Sequence, residues 1–98
     1  MTNDEMEVQS FDSVWDAIED TPEEAANMRL RSELLTAVEQ EIRSWGLTQG
    51  KSAERLGVTQ PRLNDLLRGK IAKFSLDALV DLSARAGLAV KLGIEKAA

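Results

Sequence analysis

Glycines at 46, 57, 69 and 87 stand at the ends of helix-like runs, and a threonine or serine opens each run between them: Thr48, Thr59 and Ser75. A hydroxyl side chain accepts a hydrogen bond from the unpaired N–H groups of a first helical turn, and glycine tolerates the left-handed residue that ends a helix. This punctuation divides the second half of the chain into short helices over 48–56, 59–69 and 75–86. Val58 with Leu63, and Phe74 with Leu79, take hydrophobic-staple positions around the second and third caps. Pro61 falls in a first turn, where its missing N–H is harmless. Leu76, Leu79, Val80 and Ala86 are the expected inward residues of the last helix.

Upstream, Thr21-Pro22-Glu23-Glu24 is a helix start: threonine as cap, proline in the first helical position and Glu24 completing a capping box. That helix is expected to reach Trp45, with Leu30, Leu34, Val38, Ile42 and Trp45 on the buried side and Leu35 beside them. After Gly87 the apolar period drops to two. Leu88, Val90, Leu92 and Ile94 alternate with Ala89, Lys91, Gly93 and Glu95, which reads as a β-strand. A lone strand leaves its edges unpaired. It therefore pairs either with the same strand of a second copy or with its own domain.

Composition narrows the chemistry. The 98 residues suit one domain with a modest core. With no Cys and no His, thiolate or imidazole ligation of zinc, thiol nucleophiles, histidine relays and disulfides are excluded. No cofactor or metal is expected. Only carboxylate or lysine chemistry remains, no convergent pair is legible, and an enzyme is not expected. No apolar run approaches 18 residues and the acidic N-terminus is unlike a signal peptide, so the expected setting is the cytoplasm, away from the membrane.

Net charge is −5, but it is unevenly placed. Residues 1–24 hold nine acids and no base, leaving eight acids against twelve bases downstream. Within 48–73 there are six bases and two acids. The chain is an acidic arm, 1–20, joined to a mildly basic domain, 21–98, and a polyanion responds to that local field more than to the total. In the arm, Met1–Gln9 is expected to be disordered. Phe11, Val14, Trp15 and Ile18 then form one stripe of a short amphipathic helix, with Ser10 as its cap.

The spacing between 49 and 66 carries the functional signal. Gln49 is followed at four-residue steps by Ala53 and Gly57, then come Val58, Leu63 and Leu66. Ala53 permits a close helix crossing, Gly57 permits the turn, and Leu56, Val58, Leu63 and Leu66 fix the angle between two helices. This is a helix-turn-helix. The blocks "LTQ", "LGVTQ", "LLRGK" and "SLDAL" resemble the lambda-repressor-like (XRE) helix-turn-helix family, including its HigA-type antitoxins, and the likeness extends over about 28–95. The resemblance implies an all-α, usually dimeric bundle whose third helix enters the DNA major groove. It also implies that Gln49 and Gln60 are the glutamines that open the two helices of the motif. The short C-terminal strand, paired across that dimer, completes the expected fold.

A helical wheel of 60–68 agrees. Leu63, Leu66 and Leu67 cluster on one side as core, while Pro61, Asn64, Asp65 and Arg68 lie opposite, flanked by Gln60 and Arg62. Gln60, Pro61, Arg62, Asn64 and Asp65 are the candidate base-contacting set. Arg62 suits guanine, Gln60 or Asn64 suits adenine, Pro61 offers van der Waals contact, and Asp65 either accepts from cytosine or orients Arg62. Helix starts and the following loop supply the candidate phosphate contacts Thr48, Gln49, Thr59, Arg68, Lys70, Lys73 and Ser75. Lys51 and Arg55 fit either a phosphate role or a solvated face paired with Glu54.

The expected function is therefore a sequence-specific regulator binding double-stranded DNA as a homodimer joined through Leu88, Val90, Leu92 and Ile94. It is further expected to be the autorepressing antitoxin of a toxin–antitoxin pair. A stand-alone or phage-type repressor and an interaction module that has lost DNA binding are the alternatives. Phe11, Trp15 and Ile18 either anchor a small basic toxin or brace the domain.

Overall fold

The computed structural model describes residues 21–97, and the chain divides into two units, 1–30 and 31–98. The helix expected around Phe11, Trp15 and Ile18, together with Met1–Gln9 and the Ser10 cap, lies outside the described residues. Within the first unit, Thr21 Oγ1 accepts from Glu24 N at 3.1 Å and Thr21 O from Ala25 N at 3.0 Å, so the helix starts where its cap requires. This helix, α1, spans Pro22–Ser44.

In the second unit α1 runs on to Ser44 and is followed by α2 (Gln49–Leu56), α3 (Gln60–Leu67), a 3₁₀ turn (Ile71–Lys73) and α4 (Leu76–Arg85). Each of α2, α3 and α4 begins at its expected cap. Thr48 Oγ1 accepts from Lys51 N at 3.2 Å, Thr59 Oγ1 from Arg62 N at 3.2 Å, and Ser75 Oγ from Ala78 N at 3.1 Å. The exits follow one pattern. At Gly57, with φ +77°, the glycine and Val58 N–H groups both donate to Ala53 O, at 2.8 and 3.0 Å. At Gly69, with φ +72°, Gly69 N donates to Leu66 O and Lys70 N to Asp65 O, both at 3.0 Å. These bonds satisfy terminal carbonyls that the helices cannot satisfy themselves.

The core is one cluster of Leu35, Val38, Ile42, Ala53, Leu56, Leu63, Leu66, Phe74, Leu79, Leu82 and Ala86, all buried. Two expected faces are corrected. On α1 the deepest residues are Leu35, Val38 and Ile42, while Leu34 and Trp45 are half-buried and Leu30 is exposed. A row of i+4 steps drifts about 40° per step around a helix, so a row picked at that spacing does not stay on one buried side. On α4 the buried stripe is Leu79, Leu82, Ser83 and Ala86, with Leu76 half-buried and Val80 exposed. Choosing by apolar type missed Ser83, which sits in the core because its Oγ donates to Leu79 O at 2.8 Å. Leu67, expected in the core with Leu63 and Leu66, is half-buried at its margin.

The C-terminal strand is the larger correction. The described residues are helical and contain no strand, and 88–95 runs without a ladder. Leu88 packs half-buried against the core, whereas Leu92 and Ile94 are 81% and 85% exposed and Val90 is exposed as well. A strand exists only through a hydrogen-bonded neighbour, and no described segment lies alongside to supply one. The alternative of an edge strand folded back on its own domain is therefore not realised.

Candidate nucleic-acid interface

The α2–turn–α3 unit is built as its spacing requires. Ala53 is 3% exposed, small enough for α3 to cross closely, and Leu56, Leu63 and Leu66 are fully buried around it. Their burial leaves the other side of α3 outward, where Gln60, Pro61 and Arg68 are exposed and Arg62, Asn64 and Asp65 are partly covered.

What covers Arg62 and Asp65 changes their expected roles. Arg62 folds along its own domain. Its Nη1 donates to Lys73 O at 2.8 Å and its guanidinium stacks 4.0 Å above the Phe74 ring. Asp65 does not pair with Arg62. Its two oxygens lie 3.5 Å from Lys70 Nζ and 3.5 Å from Lys73 Nζ. In place of the Asp65–Arg62 pair, one of the two alternatives for Asp65, the structure has two separate ties between α3 and the loop that follows it. One residue in that loop, Lys73, serves both.

Gln60 has a neighbour that the spacing did not reveal. A Cβ on Gly50 would stand 3.2 Å from Gln60 Nε2, so the glutamine amide lies against the first turn of α2. The signal was available in principle: glycine inside a helix is unfavourable and asks for a close approach as its reason.

Thr48, Gln49, Thr59, Arg68, Lys70, Lys73 and Ser75 are all exposed, distributed over the starts of α2, α3 and α4 and the loop after α3. The three hydroxyl oxygens already accept helical N–H groups, but each retains an O–H to donate. Lys51 lies 3.9 Å from Glu54, an exposed and weak pair. Arg55 instead stacks 4.1 Å above Trp45, whose Nε1 donates to Glu41 Oε2 at 3.2 Å. Arg55 thus takes a partner other than the expected Glu54, and the exposed Lys51 is compatible with either alternative.

Three further arginines hold the motif through backbone carbonyls, exposed for Arg43 and Arg85 and part-buried for Arg31. Arg85 Nη1 donates to Gly57 O at 3.1 Å, Arg43 Nη2 to Leu67 O at 3.2 Å, and Arg31 Nη1 to Phe74 O at 3.4 Å and Ile71 O at 3.5 Å. They clamp the turn, the C-terminus of α3 and the 3₁₀ turn. A cation at a helix C-terminus is favourable there. Nothing local in the sequence announced these contacts, since each joins residues at least 24 positions apart.

Among the described residues no helix is long and apolar enough to cross a membrane, and no group of three or more acidic residues is placed to hold a metal ion. No curated protein matches the chain. The family described as "helix-turn-helix domain" matches residues 17–95. The match spans most of the chain and takes in both capped helices and the left-handed glycine between them, so the chain belongs to the helix-turn-helix domain family.

Proposed function

We propose that the protein is a sequence-specific regulator of transcription that binds double-stranded DNA with α3 in the major groove. The observation that carries this reading is the outward face of α3, flanked by three capped helix starts and the exposed Arg68, Lys70 and Lys73. Helix N-termini and cationic side chains are complementary to phosphate, and the amides of the exposed Gln60 and the partly covered Asn64 can address base edges. Gln60, Pro61 and Asn64 form the base-edge set. Arg62 and Asp65 join it only by giving up their present partners. A mobility-shift titration with random-sequence duplex and with duplexes selected from a randomised library, over a salt series, tests the reading. Binding that weakens steeply with salt and favours selected duplexes supports it; no shift at low salt refutes it.

One α3 spans only a few base pairs, so we place two copies on half-sites about 34 Å apart. The exposed Val90, Leu92 and Ile94 support pairing of two 88–95 segments across the two-fold axis. Such a homodimer, working in the cytoplasm, fits an autorepressing antitoxin of the XRE, HigA-like type. In that case the acidic arm, 1–20, would offer Phe11, Trp15 and Ile18 to a small basic toxin. Deleting 1–20 then abolishes toxin pull-down and leaves DNA binding intact, whereas loss of thermal stability alone marks the arm as a brace. A second reading, an interaction module without DNA binding, draws on the net charge of −5 and on the internal commitments of Arg62 and Asp65.

A further inference from the structure

Asp65 is an anomaly on a surface meant for a polyanion. Within 48–73 the only other acid is Glu54, on α2, and Asp65 alone among the acids sits on α3. Its side chain is 21% exposed, while Lys70 and Lys73, which close over it, remain 42% and 57% exposed. Lys73 is tethered a second time, since its carbonyl accepts from Arg62, whose guanidinium stacks on the Phe74 ring at that end of the loop. Arg68, the exposed residue that ends α3, forms no ion pair with an acid among the described residues.

We propose that Asp65 is a charge gate that restrains capture of nucleic-acid phosphate by Lys70 and Lys73, and thereby sets the specificity of this surface. Each phosphate that either lysine takes is exchanged against the carboxylate, and the freed carboxylate then faces the duplex. On arbitrary sequence nothing replaces the lost partners, so non-specific binding is weakened. A duplex that presents an amino donor to α3, such as a cytosine N4 group, re-pairs Asp65 and releases both ammonium groups to the backbone. Asp65 is in this sense a specificity-determining residue, acting partly through the two lysines.

The inference rests on the DNA-binding reading, and its test separates the two. Wild type, Asp65→Asn, and Asp65→Asn in a Lys70→Gln/Lys73→Gln background are compared on a random-sequence 30-bp duplex and on heparin. Asp65→Ser serves the same comparison should the asparagine variant melt early. An equal charge change at the exposed Asp81, Asp81→Asn, is the control. The gate predicts that Asp65→Asn binds the random duplex about threefold to tenfold more tightly, with a salt slope steeper by about one. It also predicts elution from heparin at higher salt. Both gains vanish when the lysines are replaced, and Asp81→Asn shows neither. Unchanged or weaker polyanion binding by Asp65→Asn overturns the gate. So does a gain that persists without the lysines or that is matched by Asp81→Asn. No duplex shift by any protein removes the DNA-binding reading and the gate's specificity role with it, whereas a duplex shift by wild type with no gain in Asp65→Asn removes the gate alone.

Discussion

Replacing Gly50 by alanine should move stability and DNA binding in opposite directions. Gly50 lies in the first turn of α2 and its φ is not in the left-handed region, so alanine fits the backbone. An interior Gly→Ala change is worth roughly 0.5–1 kcal/mol to a helix, and the first turn of a short helix realises about half of that. Against it stands the new Cβ, 3.2 Å from Gln60 Nε2 and 3.9 Å from Gln60 Cδ. The obstacle is the far end of a flexible side chain at an exposed position, which swings aside for a few tenths of a kcal/mol. The net expectation is a small gain of at most about 0.3 kcal/mol, or a rise of no more than about 2 °C in melting temperature for a domain of this size. On the proposed DNA-binding function, the displaced Gln60 amide then no longer meets a base edge in the same way. A well-placed amide–base pair contributes about 1–3 kcal/mol of discrimination, so affinity for a selected duplex falls about tenfold, with little change on random sequence. Thermal melts followed by circular dichroism at 222 nm, paired with mobility-shift titrations, read both quantities. Destabilisation by more than about 0.5 kcal/mol would show that Gln60 is held in place and refute the packing argument. Unchanged affinity for the selected duplex would refute the role assigned to Gln60.

Three other perturbations probe separate parts of the scheme. Gly57→Ala places a Cβ at φ +77°, which costs about 1–2 kcal/mol, with only ordinary contact to Arg85 Nη1 at 3.4 Å; a urea titration should show the midpoint fall without a change in slope. Arg62→Ala removes the Phe74 stacking and the bond to Lys73 O, and should destabilise by about 1 kcal/mol while weakening all duplexes similarly. Relaxed preference at a single base pair would instead make Arg62 a base reader. Val90→Pro should shift gel-filtration elution from dimer to monomer, and an unchanged volume removes 88–95 from the interface.

The elements of the site that were legible are those decided within a few residues of chain. Thr48, Thr59 and Ser75 cap the helices they precede, because a hydroxyl three positions from an unpaired N–H has little else to reach. The positive φ at Gly57 and the burial of Ala53, Leu63 and Leu66 follow from the same short-range geometry. The wheel of α3 separated its buried and outward sides for the same reason. It was silent on what the outward side chains touch. Arg62 and Asp65 share a ridge on the wheel, yet each turns to the 68–74 loop, whose path depends on the 3₁₀ turn and on Phe74 entering the core.

By itself, then, the sequence determined where the helices begin and end, the α2–turn–α3 spacing and the segregation of acidic arm from basic domain. All are properties of neighbouring residues or of composition. Only the tertiary structure decided the rotation of α1 and α4 about their axes and the burial of Ser83. The same holds for the three arginine clamps and the commitment of Asp65 to Lys70 and Lys73. It also decided that 88–95 has no partner within the described chain, although its alternation of apolar residues is the same with or without one. The physical reason is that caps and turns are satisfied by groups a few bonds away. Side-chain partners, core facing and strand pairing are settled between segments that meet only after the chain has packed.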